Sequence, residues 1–212
     1  MTKRAIDVTV AAMALATLTP VMAVVALLVR RKLGTPVVFR QWRLGRDERP
    51  FQLLKFRTMT DDRGTDGALL PDAERLLPLG RALRSSSLDE LPQLWNVLRG
   101  DMSLVGPRPL PVEYKDRFHP GERVRHHVRP GITGWAQVSG RNTMGWDEKF
   151  AADVWYVQHR SLWLDVRILA RTMAYVVLRK GISADGEVTM SVLPADRAGS
   201  CHGAVAPDSA RS

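Results

Sequence analysis

Cysteine is nearly missing from these 212 residues: Cys201 stands alone near the C-terminus, so no disulfide can form within the chain. There is no CxxC pair, and the five histidines (His119, His126, His127, His159, His202) fall at no metal-ligand spacing, so neither residue type points to a zinc site. A reducing, cytoplasmic environment suits the folded part. Acidic residues are also in short supply. The 22 Asp+Glu face 31 Lys+Arg, leaving a net charge of +9. Such an excess suits an anionic partner, whether nucleic acid, an anionic membrane surface or a phosphorylated substrate. No internal repeat is evident. The bulk composition, 45% hydrophobic and 25% charged, is that of a chain that buries a core, not of a disordered one.

Charge is absent altogether from Val8 to Val29, 22 positions bounded by Lys3, Arg4 and Asp7 on one side and by Arg30, Arg31 and Lys32 on the other. About 20 apolar residues suffice to span a hydrocarbon core as a helix. A cleaved signal peptide fits poorly, because the run exceeds a typical apolar region and no small-x-small site precedes the basic cluster that ends it. Thr19-Pro20 interrupts the middle. Proline removes a backbone donor and clashes with the preceding turn, and the Thr17 and Thr19 hydroxyls are placed to bond nearby carbonyls. Basic residues at both ends favour the cytoplasmic side at both ends. Two geometries remain open: a kinked span, or a re-entrant helix-break-helix that enters and leaves by one face.

Beyond the anchor, Thr35 to Trp42 and Phe51 to Met59 are rich in β-branched and aromatic residues, and Gly45 to Pro50 separates them. This predicts a short hairpin. Thr60 to Gly67 reads as a loop, and a helix is expected from about Pro71, weakened by Pro78 and Gly80. Leu88 to Leu98 carries a helical pattern, Gly100 to Pro111 an irregular stiff one, and Val112 to Phe118 a further short helix. Helices are expected over Trp146 to His159 and Leu162 to Arg179. In the last, Leu162, Val166, Leu169, Met173 and Val176 form a stripe opposed by Arg160, Arg167 and Arg171, a pattern that suits either a soluble core or a membrane interface. The Ala/Gly/Ser/Pro-rich end reads as disordered.

Chemistry concentrates between Arg81 and Pro109. Ser87-Leu88-Asp89-Glu90 fits a capping box, in which the two carboxylates merely complement a helix dipole. The same residues also suit a reaction centre. A helix N-terminus attracts phosphate, and adjacent carboxylates there make sense with Mg²⁺ held between them and a diphosphate. An ionised aspartate can also attack phosphorus to form an acyl phosphate. Arg81, Arg84 and Arg99 lie near in sequence, and Arg108 is fixed between Pro107 and Pro109. The guanidinium fork suits phosphate oxygens.

Three runs carry a resemblance: KFRTM at Lys55 to Met59, SLDELPQLWNVLRGDMSLVGPRP at Ser87 to Pro109, and RPGITGWAQVSGRN at Arg129 to Asn142. From Lys3 to about Thr189 the chain resembles the bacterial sugar transferases, the monotopic polyprenyl-phosphate phosphoglycosyl transferases. The third run and GISADGEVT at Gly181 to Thr189 look most like the small enzymes that act on UDP-N,N′-diacetylbacillosamine. The resemblance implies an α-rich mixed α/β fold with a re-entrant membrane anchor (residues 1–33) broken at Thr19 and Pro20, where the family has Ser-Pro. A short hairpin and amphipathic interfacial helices would surround a small cytoplasmic catalytic domain (residues 34–190), followed by a disordered tail (residues 191–212).

It further implies that Asp89 attacks the β-phosphorus of a UDP-sugar, UMP leaves, and undecaprenyl phosphate takes the phosphosugar from Asp89. Glu90 would help hold Mg²⁺, while Lys55, Arg84, Arg108 and Arg141 would contact phosphate or uridine. The partners are then a UDP-sugar, undecaprenyl phosphate and lipid of the bacterial inner membrane at its cytoplasmic face. Nucleic acid is not among them, for no nucleic-acid motif occurs. A non-catalytic scaffold leaves the intact dyad unexplained, and a lipid-phosphate hydrolase would release phosphate where a transferase releases UMP.

Overall fold

The computed structural model describes residues 2–140, 144–178, 192–194 and 197. The first element is the longest: α1 (Thr2–Lys32) runs through the whole apolar segment. The break expected at Thr19-Pro20 is not formed, and Pro20 lies inside a continuous helix. Pro20 removes one N–H, but the threonine hydroxyls reinforce the turn before it. Thr17 donates to the carbonyls of Met13 (2.9 Å) and Ala14 (3.2 Å), and Thr19 to that of Leu15 (2.6 Å). Packing on both sides of Pro20 then holds the helix together. Ala11 joins one core cluster with Ala14 and Leu15 against it, while Val25, Val29 and Leu33 join another.

Both ends of α1 therefore lie on the same domain. At the N-terminal end Lys3 Nζ meets Asp165 Oδ2 at 2.6 Å. Arg4 donates to the carbonyls of Val97 (2.6 Å) and Leu98 (3.0 Å), and buried Asp7 accepts from Ser103 Oγ (2.8 Å) and Leu104 N (3.2 Å). The remaining surface of the helix, including Ile6, Val10, Met13, Val21, Val24, Leu27 and Leu28, is exposed and apolar. By length and composition it could cross a membrane.

The predicted hairpin is present. Strands β1 (Val38–Leu44) and β2 (Pro50–Phe56) pair antiparallel, Val38 opposite Phe56 and Leu44 opposite Pro50. A tight connection with Asp47 and Glu48 at positive φ joins them. The helix expected from Pro71 is two pieces, α2 (Asp72–Arg75) and α3 (Pro78–Ser85), because Pro78 serves better as the first residue of a new helix than in the interior of an old one. The helix expected from Leu88 is likewise split: a 3₁₀ turn (Leu88–Glu90) precedes Pro92, and α4 (Gln93–Arg99) follows it.

Further on, β3 (Ser103–Val105) pairs in parallel with β4 (Gly131–Thr133). Two 3₁₀ segments, Val112–Arg117 and Pro120–His127, fill the interval between them. Then come α5 (Trp135–Ser139), α6 (Trp146–His159) and α7 (Leu162–Leu178).

The stripe on α7, open between a core and an interface role, divides: Leu169 packs against the core, while Leu162, Val166 and Met173 do not. Leu164 and Ile168 are the buried residues, whereas Leu162, Trp163 (76% exposed), Val166 and Met173 point outward. Of residues 191–212, Leu193 and Arg197 make contacts with the domain. Leu193 is fully buried beside Leu44 and Phe118, and Arg197 pairs with Glu122 (2.8 Å) and Asp147. These two residues find partners on the domain surface, which composition cannot foresee.

Candidate active site

The reaction centre is assembled from β2, the 3₁₀ turn and the segment after β3. Lys55 on β2 places its Nζ 2.6 Å from Glu90 Oε1 and 3.7 Å from Asp89 Oδ2. Arg108 approaches the same Glu90 oxygen at 4.0 Å and is 43% exposed, open to a ligand. Arg84 on α3 donates from Nε to Thr58 Oγ1 (3.1 Å) and lies close enough to favour the ionised form of Asp89. Arg141 falls outside the described residues.

The capping box expected at Ser87 is not made. Ser87 adopts a left-handed conformation (φ 56°) and its side chain caps nothing; only the Glu90 amide returns to the Ser87 carbonyl, at 3.2 Å. Glu90 turns its carboxylate to Lys55 instead, because a partly buried carboxylate gains more from a charge-assisted bond than from a neutral amide. Nor does the dyad sit in the first turn of α4, which begins only at Gln93.

Two residues hold this centre in place without having been singled out from sequence. Asn96, fully buried on α4, accepts from Leu54 N (3.0 Å) and donates to Gln52 O (2.8 Å), clamping α4 to β2 on either side of Leu53 and so fixing the strand that carries Lys55. An asparagine inside the apolar run LWNVL is the sequence signal. Arg43 on β1 lines the small cleft with Lys55, Glu90 and Arg108. Burial, and after it the neighbouring Arg108, pushes its guanidinium down to about 10, still protonated near neutrality. By contrast Arg81 bonds the Leu76 carbonyl and Arg99 lies over the Trp95 ring, so the structure does not bring them to the dyad.

The segment bearing Arg108 is stiff for a reason beyond its prolines. Four successive carbonyls are held from three elements: Pro107 by Gly131 N of β4 (3.0 Å), Arg108 by Arg125 Nη2 of the second 3₁₀ segment (2.7 Å), and Pro109 and Leu110 by Arg43 Nη1 (3.2 Å) and Leu44 N (2.9 Å) of β1. Arg125 is itself held by Asp153 on α6, Nη2 to Oδ2 at 2.7 Å, with the two side chains 2% and 5% exposed. Gly131 has to be glycine here, since a Cβ would collide with the backbone of Gly106.

The two carboxylates are pushed apart in acidity. Burial raises Asp89 above the usual carboxylate range, and Lys55 only partly offsets it. Burial acts on Glu90 too, but Lys55 and Arg108 outweigh it and hold Glu90 below that range. Diverging neighbours of this kind are how one site sustains two carboxylate roles. Among the described residues no third Asp, Glu, His or Cys joins them in a metal-ligand group. Two carboxylates are nonetheless a sufficient protein share for Mg²⁺, which commonly completes its shell with phosphate oxygens and water.

A family model described as bacterial sugar transferase matches residues 1–179. The chain belongs to the bacterial sugar transferase family. Among curated relatives of this sugar transferase, the uncharacterized sugar transferase EpsL of Bacillus subtilis (strain 168) is 49% identical over 187 residues, covering 88% of this chain and 93% of the relative. A UDP-glucose:undecaprenyl-phosphate glucose-1-phosphate transferase of Caulobacter vibrioides is 42% identical over 81% of this chain and 68% of its own length. A UDP-N-acetylgalactosamine-undecaprenyl-phosphate N-acetylgalactosaminephosphotransferase of Aeromonas hydrophila is 39% identical over 82% of this chain, but only 43% of that protein is matched.

Proposed function

We propose that this sugar transferase is a phosphoglycosyl transferase that moves a sugar 1-phosphate from a UDP-sugar to undecaprenyl phosphate, releasing UMP, through a phosphosugar held on Asp89. The observation that carries the reading is the buried Asp89 carboxylate, partnered by Lys55 and set beside a carboxylate of opposite tendency. A desolvated, more basic carboxylate is a better nucleophile than an exposed one. An Asp89 oxygen attacks the β-phosphorus, the bond from that phosphorus to the bridging oxygen breaks, and UMP departs with the electron pair. An oxygen of the acceptor phosphate then attacks the same phosphorus and frees the Asp89 carboxylate.

Phosphoryl transfer asks for positioning and charge neutralisation. Lys55 and Arg108 face the dyad, and Arg84 and Arg141 complete the proposed set of contacts to phosphate or uridine. Asp89 and Glu90 would hold Mg²⁺ together with the donor's phosphates; bound there, it would neutralise diphosphate charge. The anchor's topology is proposed to be monotopic, at the cytoplasmic face of the inner membrane. Support comes from the tethers of Lys3, Arg4 and Asp7 at one end of α1 and the packing of Leu33 at the other, all on one domain. The outward Trp163, Val166 and Met173 suit an interfacial α7.

The donor sugar is proposed to be N-acetylated, with UDP-N,N′-diacetylbacillosamine the first candidate, on the strength of the RPGITGWAQVSGRN and GISADGEVT runs. The product would be the first membrane-bound step of a glycoconjugate. UMP release across a panel of UDP-sugars, with undecaprenyl phosphate and Mg²⁺, tests this directly. Release with one N-acetylated donor is expected, and preference for UDP-glucose would displace the sugar assignment. No release with any donor would overturn the reading.

A further inference from the structure

The turn that carries the dyad has a second neighbour. Ser86 and Leu88 join the lining of an apolar groove of about 600 Å³ to which α1 contributes Val24 and Leu28 and α3 contributes Leu79 and Ala82. Ser86 is the one polar residue in the lining. The groove is not sealed: Val24 and Leu28 belong to the exposed apolar surface of α1 (59% and 40% exposed), the surface a bilayer would cover. Leu88 faces this groove, while the next residue, Asp89, faces Lys55. The two are consecutive on one 3₁₀ turn, so the same turn contributes a residue to the apolar groove and a carboxylate to the charged site.

That juxtaposition matches an amphipathic ligand with an anionic head and a long apolar tail. A UDP-sugar has no part that fits the groove. We propose that the groove seats the first isoprene units of the acceptor's polyprenyl chain and so delivers its phosphate to Asp89. The assignment rests on undecaprenyl phosphate being the acceptor, as read above. It assigns the wall of α1 a role in substrate binding besides anchoring, and it makes α3 an acceptor-recognition element: Leu79 and Ala82 toward the tail, Arg84 toward the charged site.

The test uses the full chain in lipid nanodiscs. Ala82 and Val24 are exposed, so Ala82→Trp and Val24→Trp fill the groove without overpacking a core. Each is expected to raise KM for undecaprenyl phosphate roughly tenfold, the equivalent of about two buried methylene groups lost from the tail's contacts. The stoichiometric burst of UMP without acceptor, which does not involve the groove, should survive in both. A polyprenyl phosphate carrying a diazirine on its first isoprene units should label residues 24–28 and 79–82, and either substitution should abolish that label. Acceptor KM within twofold of wild type in both variants would overturn the assignment. So would labelling that phosphatidylglycerol competes away as well as polyprenyl phosphate does, since the occupant would then be bulk lipid. Absence of the acceptor-free burst in the wild-type enzyme would remove the covalent reading itself, a failure distinct from an unchanged KM.

Discussion

Replacing Asp153 by alanine probes how firmly the site's stiff segment is held. Among the described residues Asp153 is the one side chain that bonds the Arg125 guanidinium, which lies near the rings of Phe118 (5.6 Å) and Phe150 (5.4 Å) with its side chain 2% exposed. Truncation would leave a charge buried among aromatic rings with one carbonyl for company. Breaking a buried pair in this way costs about 3–5 kcal/mol. For a domain of this size each kcal/mol shifts the melting temperature by about 2–4 °C, so a fall of roughly 6–20 °C is expected. The measurement is tryptophan fluorescence on heating, at a fixed scan rate in nanodiscs. The double variant Arg125→Met/Asp153→Leu removes both charges and should regain most of that loss.

It should not regain activity, because the Arg108 carbonyl then has no donor from this side. A small displacement of Arg108 is expected to lower kcat by about tenfold or more. Recovery of full turnover in the double variant would refute the positioning role. Melting of Asp153→Ala within about 2 °C of wild type would refute the energetic one.

Asp89→Asn should abolish the UMP burst while leaving the fold intact, checked by the same melting assay. Because burial raises the Asp89 pKa in the folded state, protonated Asp89 stabilises the fold at low pH, and that contribution is lost as pH rises through the raised value. The asparagine variant should accordingly be at least as stable as wild type at neutral pH in the absence of Mg²⁺. Arg108→Lys should weaken turnover about tenfold through loss of the fork, read as kcat/KM; wild-type kinetics would remove Arg108 from the site. Asn96→Leu leaves Leu54 N and Gln52 O without their side-chain partner and should cost roughly 2–4 kcal/mol, seen as a lowered melting temperature.

Local signals carried much of the fold. The hairpin followed from two β-rich runs around Gly45 to Pro50, and α6 and α7 were legible within a residue at their ends. Proline acts in opposite ways at two positions. Pro20 was expected to break a helix that packing keeps continuous, and Pro92 splits a helix that the apolar pattern had joined. The parallel pairing of β3 with β4 could not be read, since three-residue strands 28 positions apart have no local signature.

At the site, Asp89, Glu90, Lys55 and Arg108 were all nameable in advance and do come together. Arg43, Asn96, Arg125 and Asp153 were not named. Their roles depend on which backbone group lies across from them, and that is settled only when distant segments meet.

The tethering of α1 at both ends has a mechanical consequence. A helix joined to its domain at one end works as a leash, and the domain swings and bobs at a distance set by the linker. Held at Lys3, Arg4 and Asp7 and again at Val29 and Leu33, this helix is instead a keel. Hull and keel then float at one draught. On the proposed monotopic anchoring, the height of Asp89 above the bilayer would be a property of the fold rather than of a fluctuating tether, and an acceptor diffusing in the leaflet would have only two dimensions left to search.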